Sequence, residues 1–444
     1  MTSSESAFSI AYNLVLNTVG MGVLPFLWSK TRDEPVFRKG RLGRYDPDVC
    51  DEACFRTKDA GPAGHPRIWF HAASVGEVTG AVPTLYALRD RLPHASILLT
   101  VGTPQGFRFA RTQLPGWAQV LSFPLDFPWV LDRAFRYLRP DLYVAMESEF
   151  WPNMFRFLAR RGVPAILLNG RLSNRSARRY RLLNPLFQPV FEQFRSLAML
   201  TEEDRQNALS LGVPHERTLV LGSSKYDGLA LRSRLLEPSR WKGILGISTT
   251  TPVVIGGSLR KDECVQILEV FRSVHSIEPG VLGIFAPRHM GRIAEMCQWL
   301  RGRDIPFHLL SDLEQGKEER RSPVVLVDRI GILFELYALG DLIFCGGTLE
   351  PIGGHNIMEP AAWEKPVFYG PHLQKVLYEH TILKELQGSF PIDDARDLAG
   401  QWSYWIRRPG ELKRHGEKAG EALGKLRGVA AKQVDLITSA LRER

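Results

Sequence analysis

Short β-branched, apolar runs separated by helix-length stretches recur along most of the chain, and this alternation limits the fold more than any other feature. Arg67-Ile-Trp-Phe-His-Ala-Ala73 reads as a strand, Gly76 to Leu92 as a helix and Ser96 to Val101 as the next strand. Leu142 to Met146 and Ala165 to Asn169 continue the series, with shorter candidates at Ala198 to Leu200 and Leu219 to Leu221. A polar stretch from Tyr226 to Ser239 interrupts it. The series restarts at Val253 to Gly257, Val281 to Ala286, Val324 to Asp328, Leu342 to Cys345 and Val367 to Tyr369. Strands alternating with helices build doubly wound parallel sheets, so the pattern predicts two α/β domains joined near residue 230. The charged run Ser311 to Ser322 reads as a solvated loop. The last thirty or so residues read as a polar helix that ties the domains together.

A chain of 444 residues has ample material for such cores, which excludes a disordered protein. Its five cysteines, Cys50, Cys54, Cys264, Cys297 and Cys345, are too scattered for a zinc ribbon and too few for a disulfide framework. They fit a reducing compartment, and Cys50 and Cys54 lack the partnering Cys or His pair a metal site needs. The formal net charge of +9 favours an anionic partner, either a membrane surface or an acidic substrate.

Residues Ala7 to Trp28 carry no charge, and Ile10, Val15, Leu16, Val23, Leu24, Phe26 and Leu27 make them nearly continuously hydrophobic. A helix of that length covers about 33 Å, enough for a hydrocarbon core. Lys30, Arg32, Arg38, Lys39, Arg41 and Arg44 follow it, so the positive-inside rule predicts a single-pass N-terminal anchor with the rest of the chain in the cytoplasm. Neither a basic leader nor a small-x-small cleavage site marks a removed signal peptide. Asn13, Asn17, Gly20, Gly22 and Pro25 interrupt the span, and a helix lying in the interface or packed on the protein is the competing reading.

Open parallel sheets bind ligands at the carboxyl ends of their strands, so the loops there carry the candidate chemistry. Gly346-Gly-Thr-Leu-Glu-Pro-Ile-Gly-Gly-His-Asn-Ile-Met-Glu-Pro360 follows the strand Leu342 to Cys345. Strand, glycine-rich turn and helix start together predict an anion cradle for a nucleotide phosphate, with Asn356 and Glu359 on the first helical turn. A capping pair is the alternative for those two residues. Ala286-Pro-Arg-His289 puts Arg288 where a guanidinium can pair with phosphate oxygens, and Gly256-Gly-Ser258 and Asp328-Arg-Ile-Gly-Ile-Leu333 are further loops at strand ends. In the first half, Glu77 in His71-Ala-Ala-Ser-Val-Gly-Glu77 could take a proton from an attacking hydroxyl, or could simply be a helix N-terminal acid. Glu147 and Glu149 of Met146-Glu-Ser-Glu-Phe-Trp-Pro-Asn153 are predicted on one side of an extended segment.

These segments, with Asn169-Gly-Arg-Leu-Ser173, together resemble the Kdo transferase family, the 3-deoxy-D-manno-octulosonic acid transferases that add Kdo to the lipid A precursor. The likeness runs in the family's order from the N-terminal anchor to about His372. It implies a GT-B glycosyltransferase in which two Rossmann-like domains face a cleft. Residues 1–30 would be a membrane-anchor helix and 31–230 an acceptor-binding domain. Residues 231–444 would bind CMP-Kdo, the final helix packing back towards the first domain. It also implies lipopolysaccharide core biosynthesis at the cytoplasmic face of the inner membrane.

By the same resemblance, Glu77 would be the general base and Glu147 a second essential acid. Pro287, Arg288, Gly331, Ile332, Leu333, Asn356, Ile357, Met358 and Glu359 would hold CMP. Transfer would proceed by direct displacement with inversion, without a metal or cofactor. Ser74, Arg171 and Lys225 stand on the acceptor side with open roles, Lys225 meeting an acceptor phosphate or packing at a hinge. The chain departs from the family at Gly170, where alanine is common, and at Ser223-Ser224, where Asn-Leu is usual.

Arg171, Arg175, Arg178, Arg179 and Arg181 could meet lipid phosphates or the anionic leaflet, a solvated helix face being the alternative. No aromatic-interleaved basic module points to nucleic acid. The competing functions are a membrane-associated GT-B transferase using a UDP-sugar, a nucleotide-sugar epimerase of the same fold, and a non-catalytic lipid-binding protein.

Overall fold

The computed structural model describes residues 3–45 and 65–443. Cys50 and Cys54 lie outside them. The chain divides into two compact units, Met1–Gly228 with Gly428–Arg444, and Leu229–Arg427.

The first unit is built on a seven-stranded parallel sheet: β1 (Arg67–Ala72), β2 (Ser96–Val101), β3 (Gln119–Ser122), β4 (Leu142–Met146), β5 (Ala165–Gly170), β6 (Phe194–Met199) and β7 (Thr218–Val220), in spatial order β3-β2-β1-β4-β5-β6-β7. Successive side chains of a strand point to opposite faces, and β1 follows this rule. Ile68, Phe70 and Ala72 join one buried cluster, while Trp69 joins the other with Tyr143 and Phe155. The final helix, Val429–Arg442, buries Val434, Ile437 and Ala440 in the first of these clusters and packs on the helix Val75–Arg91.

The second unit repeats the design with β8 (Val253–Leu259), β9 (Leu282–Pro287), β10 (Phe307–Leu309), β11 (Val324–Leu326), β12 (Leu342–Cys345), β13 (Val367–Tyr369) and β14 (Ser389–Pro391), ordered β10-β11-β9-β8-β12-β13-β14. The strand order reverses at β1 in one sheet and at β8 in the other. The loops at the carboxyl ends of β1 and β4, and of β8, β9 and β12, therefore border the switch points where such sheets bind ligands.

Four sequence expectations are corrected. Among the described residues, no helix is long and apolar enough to cross a membrane, so the single-pass anchor is not supported. Residues Ser3–Lys30 do form a helix, but polar side chains tie it to the first unit. The Tyr12 hydroxyl donates to Asp126 at 2.8 Å, and Asn153 Nδ2 donates to the side-chain oxygen of Asn13 at 2.7 Å. Gly20 faces the Phe127 ring so closely that a Cβ there would lie 2.5 Å from Cζ. The glycine-rich segment after β12 leads not into an α-helix but into turns and a short 3-10 helix, Pro360–Trp363. The C-terminal polar helix is two helices, Pro409–Leu426 and Val429–Arg442, parted at Gly428, whose φ of +89° suits glycine. The charged run expected as a loop begins inside a short helix, Leu310–Glu314.

Candidate active site

The first cluster sits where β1 and β4 end. Ser74 caps the helix Val75–Arg91, accepting from the Glu77 amide at 3.4 Å, while Glu77 accepts from the Ala73 amide at 2.8 Å and the Ser74 hydroxyl at 3.2 Å. This resembles a capping box, with Glu77 reaching the amide one residue before the cap, so the structural reading of Glu77 as a helix N-terminal acid is realised. The carboxyl is also half-buried and pushed up to about 7. Burial is the main cause and the Glu149 and Glu147 charges add to it, against the Ala73 and Ser74 hydrogen bonds. A carboxyl tuned there can hold or release a proton near neutrality, as a general base requires.

Glu147 leaves β4 in the left-handed region, at φ +52°, so the predicted extended segment turns instead. Its carboxylate pairs with Lys225 Nζ at 2.8 Å, and its carbonyl accepts from the Arg171 amide at 3.0 Å. Glu149 goes elsewhere. It lies 3.1 Å from His71 Nε2 and accepts from Trp151 Nε1 at 2.7 Å. Burial pushes the Glu149 carboxyl up, but His71, Trp151 and the Arg41 charge together hold it below its ordinary value. The buried His71 ring stacks on Phe123 at 3.6 Å, with Nδ1 3.0 Å from the Thr100 carbonyl. Ser74, Glu77, Glu147 and Lys225 thus share one edge of one sheet.

Beneath Lys225 lies a buried polar network that sequence reasoning missed. Asn169 Nδ2 donates to Ser224 Oγ at 2.9 Å, Ser224 Oγ lies 2.6 Å from the Gly80 carbonyl, and Gln433 Nε2 donates to Asn169 Oδ1 at 2.9 Å. Thr84 closes it, donating to Gln433 Oε1 at 2.6 Å. Gly80 leaves the room this needs. A Cβ there would lie 2.7 Å from Asn169 Nδ2 and 3.5 Å from Lys225 Cε. Ser224, one of the departures from the family pattern, is therefore held by polar partners rather than by an apolar pocket. Asn169 was visible in a quoted segment, but Gln433 gives no signal within a polar helix.

In the second unit, the parallel sheet brings the ends of β11, β9, β8 and β12 side by side. Pro287 is the last residue of β9 and is buried. Arg288 follows it with an exposed side chain, its amide donating to the Leu259 carbonyl at 2.8 Å. Gly331, at φ +101°, is exposed at the end of the β11 loop, followed by buried Ile332 and half-buried Leu333. The Asn356 side chain is exposed, accepting from the Met358 amide at 3.1 Å and pointing its Nδ2 at Glu359, 3.5 Å away. Ile357 and Met358 are fully buried, so neither presents a side chain to a ligand. Burial raises the Glu359 carboxyl, while the Arg232 and Arg288 charges and Asn356 pull it back. Arg232 lies 4.2 Å over the Phe334 ring.

The expected phosphate cradle is not free. The amides of Gly347, Thr348 and Leu349 already donate to the buried Glu263 carboxylate at 2.7, 3.0 and 2.9 Å. This corrects the prediction that the turn after β12 offers them to a nucleotide. Nearby, burial and then the charges of Arg288, Arg260, Lys375 and His289 push His355 down to about 4, which marks an edge rich in positive charge.

The comparisons with known proteins bear on this arrangement. A family model described as 3-deoxy-D-manno-octulosonic-acid transferase (kdotransferase) matches residues 39–228. A 3-deoxy-D-manno-octulosonic acid transferase from Chlamydia pneumoniae is 35% identical over 371 residues, 82% of this chain and 81% of that protein. The chain belongs to the Kdo transferase family. The Kdo transferase of Haemophilus influenzae is similar at 31% identity over 376 residues, 83% of this chain and 86% of its own. Kdo transferases are glycosyltransferases, and so is this member. Its fold is GT-B: a solved glycosyltransferase from Rickettsia africae, 11% identical, superposes over 86% of this chain and 100% of its own with a TM-score of 0.55.

Proposed function

We propose that this Kdo transferase moves Kdo from CMP-Kdo to a lipid A-type acceptor in lipopolysaccharide biosynthesis. The observation that carries the mechanism is the half-buried Glu77 carboxyl, raised to about 7 at the end of β1. Glu77 takes the proton of the acceptor hydroxyl as that oxygen forms a bond to the anomeric carbon of Kdo. The bond from that carbon to the phosphate oxygen breaks, and CMP leaves with the electron pair. The displacement inverts the anomeric carbon. Arg288 meets the charge developing on the phosphate, with Pro287, the Gly331–Leu333 loop and Asn356–Glu359 around the nucleoside. Glu147 and Lys225 form a fixed ion pair beside the acceptor, with Ser74 and Arg171 flanking it.

The acceptor is a lipid, and the first unit has features that suit a leaflet. Arg171, Arg175, Arg178 and Arg179 are surface residues beside exposed Leu182 and Leu183, and Ile10, Leu14, Val15 and Val19 are exposed on the N-terminal helix. That helix packs on Asn184–Gln193, the segment directly after the arginine run. In this reading the protein lies on the cytoplasmic face of the inner membrane rather than crossing it, each basic residue near an anionic surface contributing about 1 kcal/mol.

The test is a transfer assay with purified protein, a CMP-Kdo supply and tetra-acylated lipid A precursor, following CMP release and lipid mass together. One CMP released per Kdo mass added is the expected result. CMP release without a lipid adduct would remove the acceptor assignment, and neither signal alongside an active control enzyme would remove the reading.

A further inference from the structure

We infer that Glu263 is a positioning residue for donor binding, an internal anion that holds the nucleotide loops in their working arrangement. The inference rests on the CMP-Kdo reading above. Glu263 stands on the first turn of the helix Glu263–Ile277 and is completely buried. Both of its oxygens are used. Oε2 accepts from the Arg260 amide at 2.8 Å and the Gly347 amide at 2.7 Å, and Oε1 from Thr348 at 3.0 Å and Leu349 at 2.9 Å.

Those four amides belong to two loops, one after β8 and one after β12. Each loop carries a donor-side group. The Leu259 carbonyl next to Arg260 accepts from the Arg288 amide at 2.8 Å, and the Gly347 carbonyl accepts from the Gly354 amide at 2.8 Å, at the head of the segment that reaches Asn356 and Glu359. A single carboxylate therefore fixes the spacing between the arginine proposed for the phosphate and the Asn356–Glu359 segment proposed for the nucleoside. The site is also shaped for that carboxylate. A Cβ on Gly346 would lie 2.9 Å from Glu263 Oε2 and 2.6 Å from the Ser258 carbonyl, so only glycine lets the two loops close around it.

A buried carboxylate is costly unless its lone pairs are satisfied, and here the surrounding amides satisfy them. With these N–H groups committed to Glu263, the donor phosphate is left to side chains such as Arg288. The loops are ordered before the donor arrives, which lowers the cost of binding it.

Glu263→Gln keeps the volume but sets an NH₂ group against backbone N–H donors. In the folded variant, donor KM and the CMP dissociation constant should rise at least about tenfold, with acceptor KM and kcat at saturating donor nearly unchanged. Glu263→Asp, which keeps the charge, should recover part of the loss. Unchanged donor affinity, or a uniform fall in every parameter, would overturn the inference. If Glu263→Gln does not fold, Gly346→Ala presses on the same carboxylate. A raised donor KM there supports the inference, and a wild-type value ends it. Wild-type protein that fails to bind CMP would sink the CMP-Kdo reading itself. Amide exchange at Thr348 and Leu349 would then still decide the loop-holding role, faster exchange in Glu263→Gln upholding it and unchanged exchange refuting it.

Discussion

Lys225 holds its ammonium 2.8 Å from the Glu147 carboxylate, with its aliphatic stem passing over Gly80. The pair joins the turn after β4 to the helix Lys225–Leu235, and the charge it neutralises also acts on Glu77. Half-exposed ion pairs add little to stability, so this one is better understood as holding two groups in place. Lys225→Met should lower kcat/KM by at least about tenfold through misplacement of Glu147. Its melting temperature should stay near the wild-type value. Lys225→Arg should recover part of the activity, and a Lys225→Met enzyme with normal turnover would remove the pair from the site.

Glu77 gives a pH dependence whose sign follows from its raised value of about 7. As a base it must be ionised, so kcat/KM should rise with pH and level off above about 7. Stability runs the other way. Between the ordinary value of 4.5 and about 7 the folded protein binds more protons at this group than the unfolded chain does, so stability falls as pH rises through that window. Glu77→Gln should therefore lose transfer while keeping CMP binding, and should gain thermal stability over wild type at pH 8 more than at pH 5. Retained turnover in that variant would take Glu77 out of the base role.

Gln433 should matter for the acceptor side although it lies far along the chain from every motif. Gln433→Leu leaves the Thr84 hydroxyl and Asn169 Oδ1 each short of a partner in a buried setting, a loss of about 1–3 kcal/mol. The expected result is a lower melting temperature and a reduced transfer rate with CMP affinity unchanged, read by calorimetry and nucleotide titration. If transfer is also unchanged, the network is structural only.

How much of this was legible depends on where a residue sits. β4 and β12 lie inside their sheets, buried on both faces, and their continuous apolar runs give their bounds directly. β3, β10 and β14 are edge strands, short and half-exposed, and residues such as Gln119, His308 and Ser389 break the hydrophobic run that would announce them. Glu77, Glu147 and Arg288 stood out because they follow strands. Glu263 did not, since three of its four partners are backbone amides more than eighty residues away and backbone groups carry no sequence signal. The N-terminal helix was misread for a related reason. Its apolar composition is visible, but the bonds from Tyr12 and Asn13 to Asp126 and Asn153 exist only once the chain has folded.

The chain leaves the first unit near Gly228 and returns to it at Gly428, so the whole second unit is inserted between two parts of the first. A ribosome makes Val434, Ile437 and Ala440 only after every strand of both sheets. Until they emerge, the groove along the Val75–Arg91 helix has no cover, and Thr84 and Asn169 wait for Gln433. The second unit, Leu229–Arg427, is complete in sequence before Gly428–Arg444 is made, whereas the unit bearing Glu77 is finished last; on the proposed assignment a newly made molecule would acquire donor binding first and transfer second.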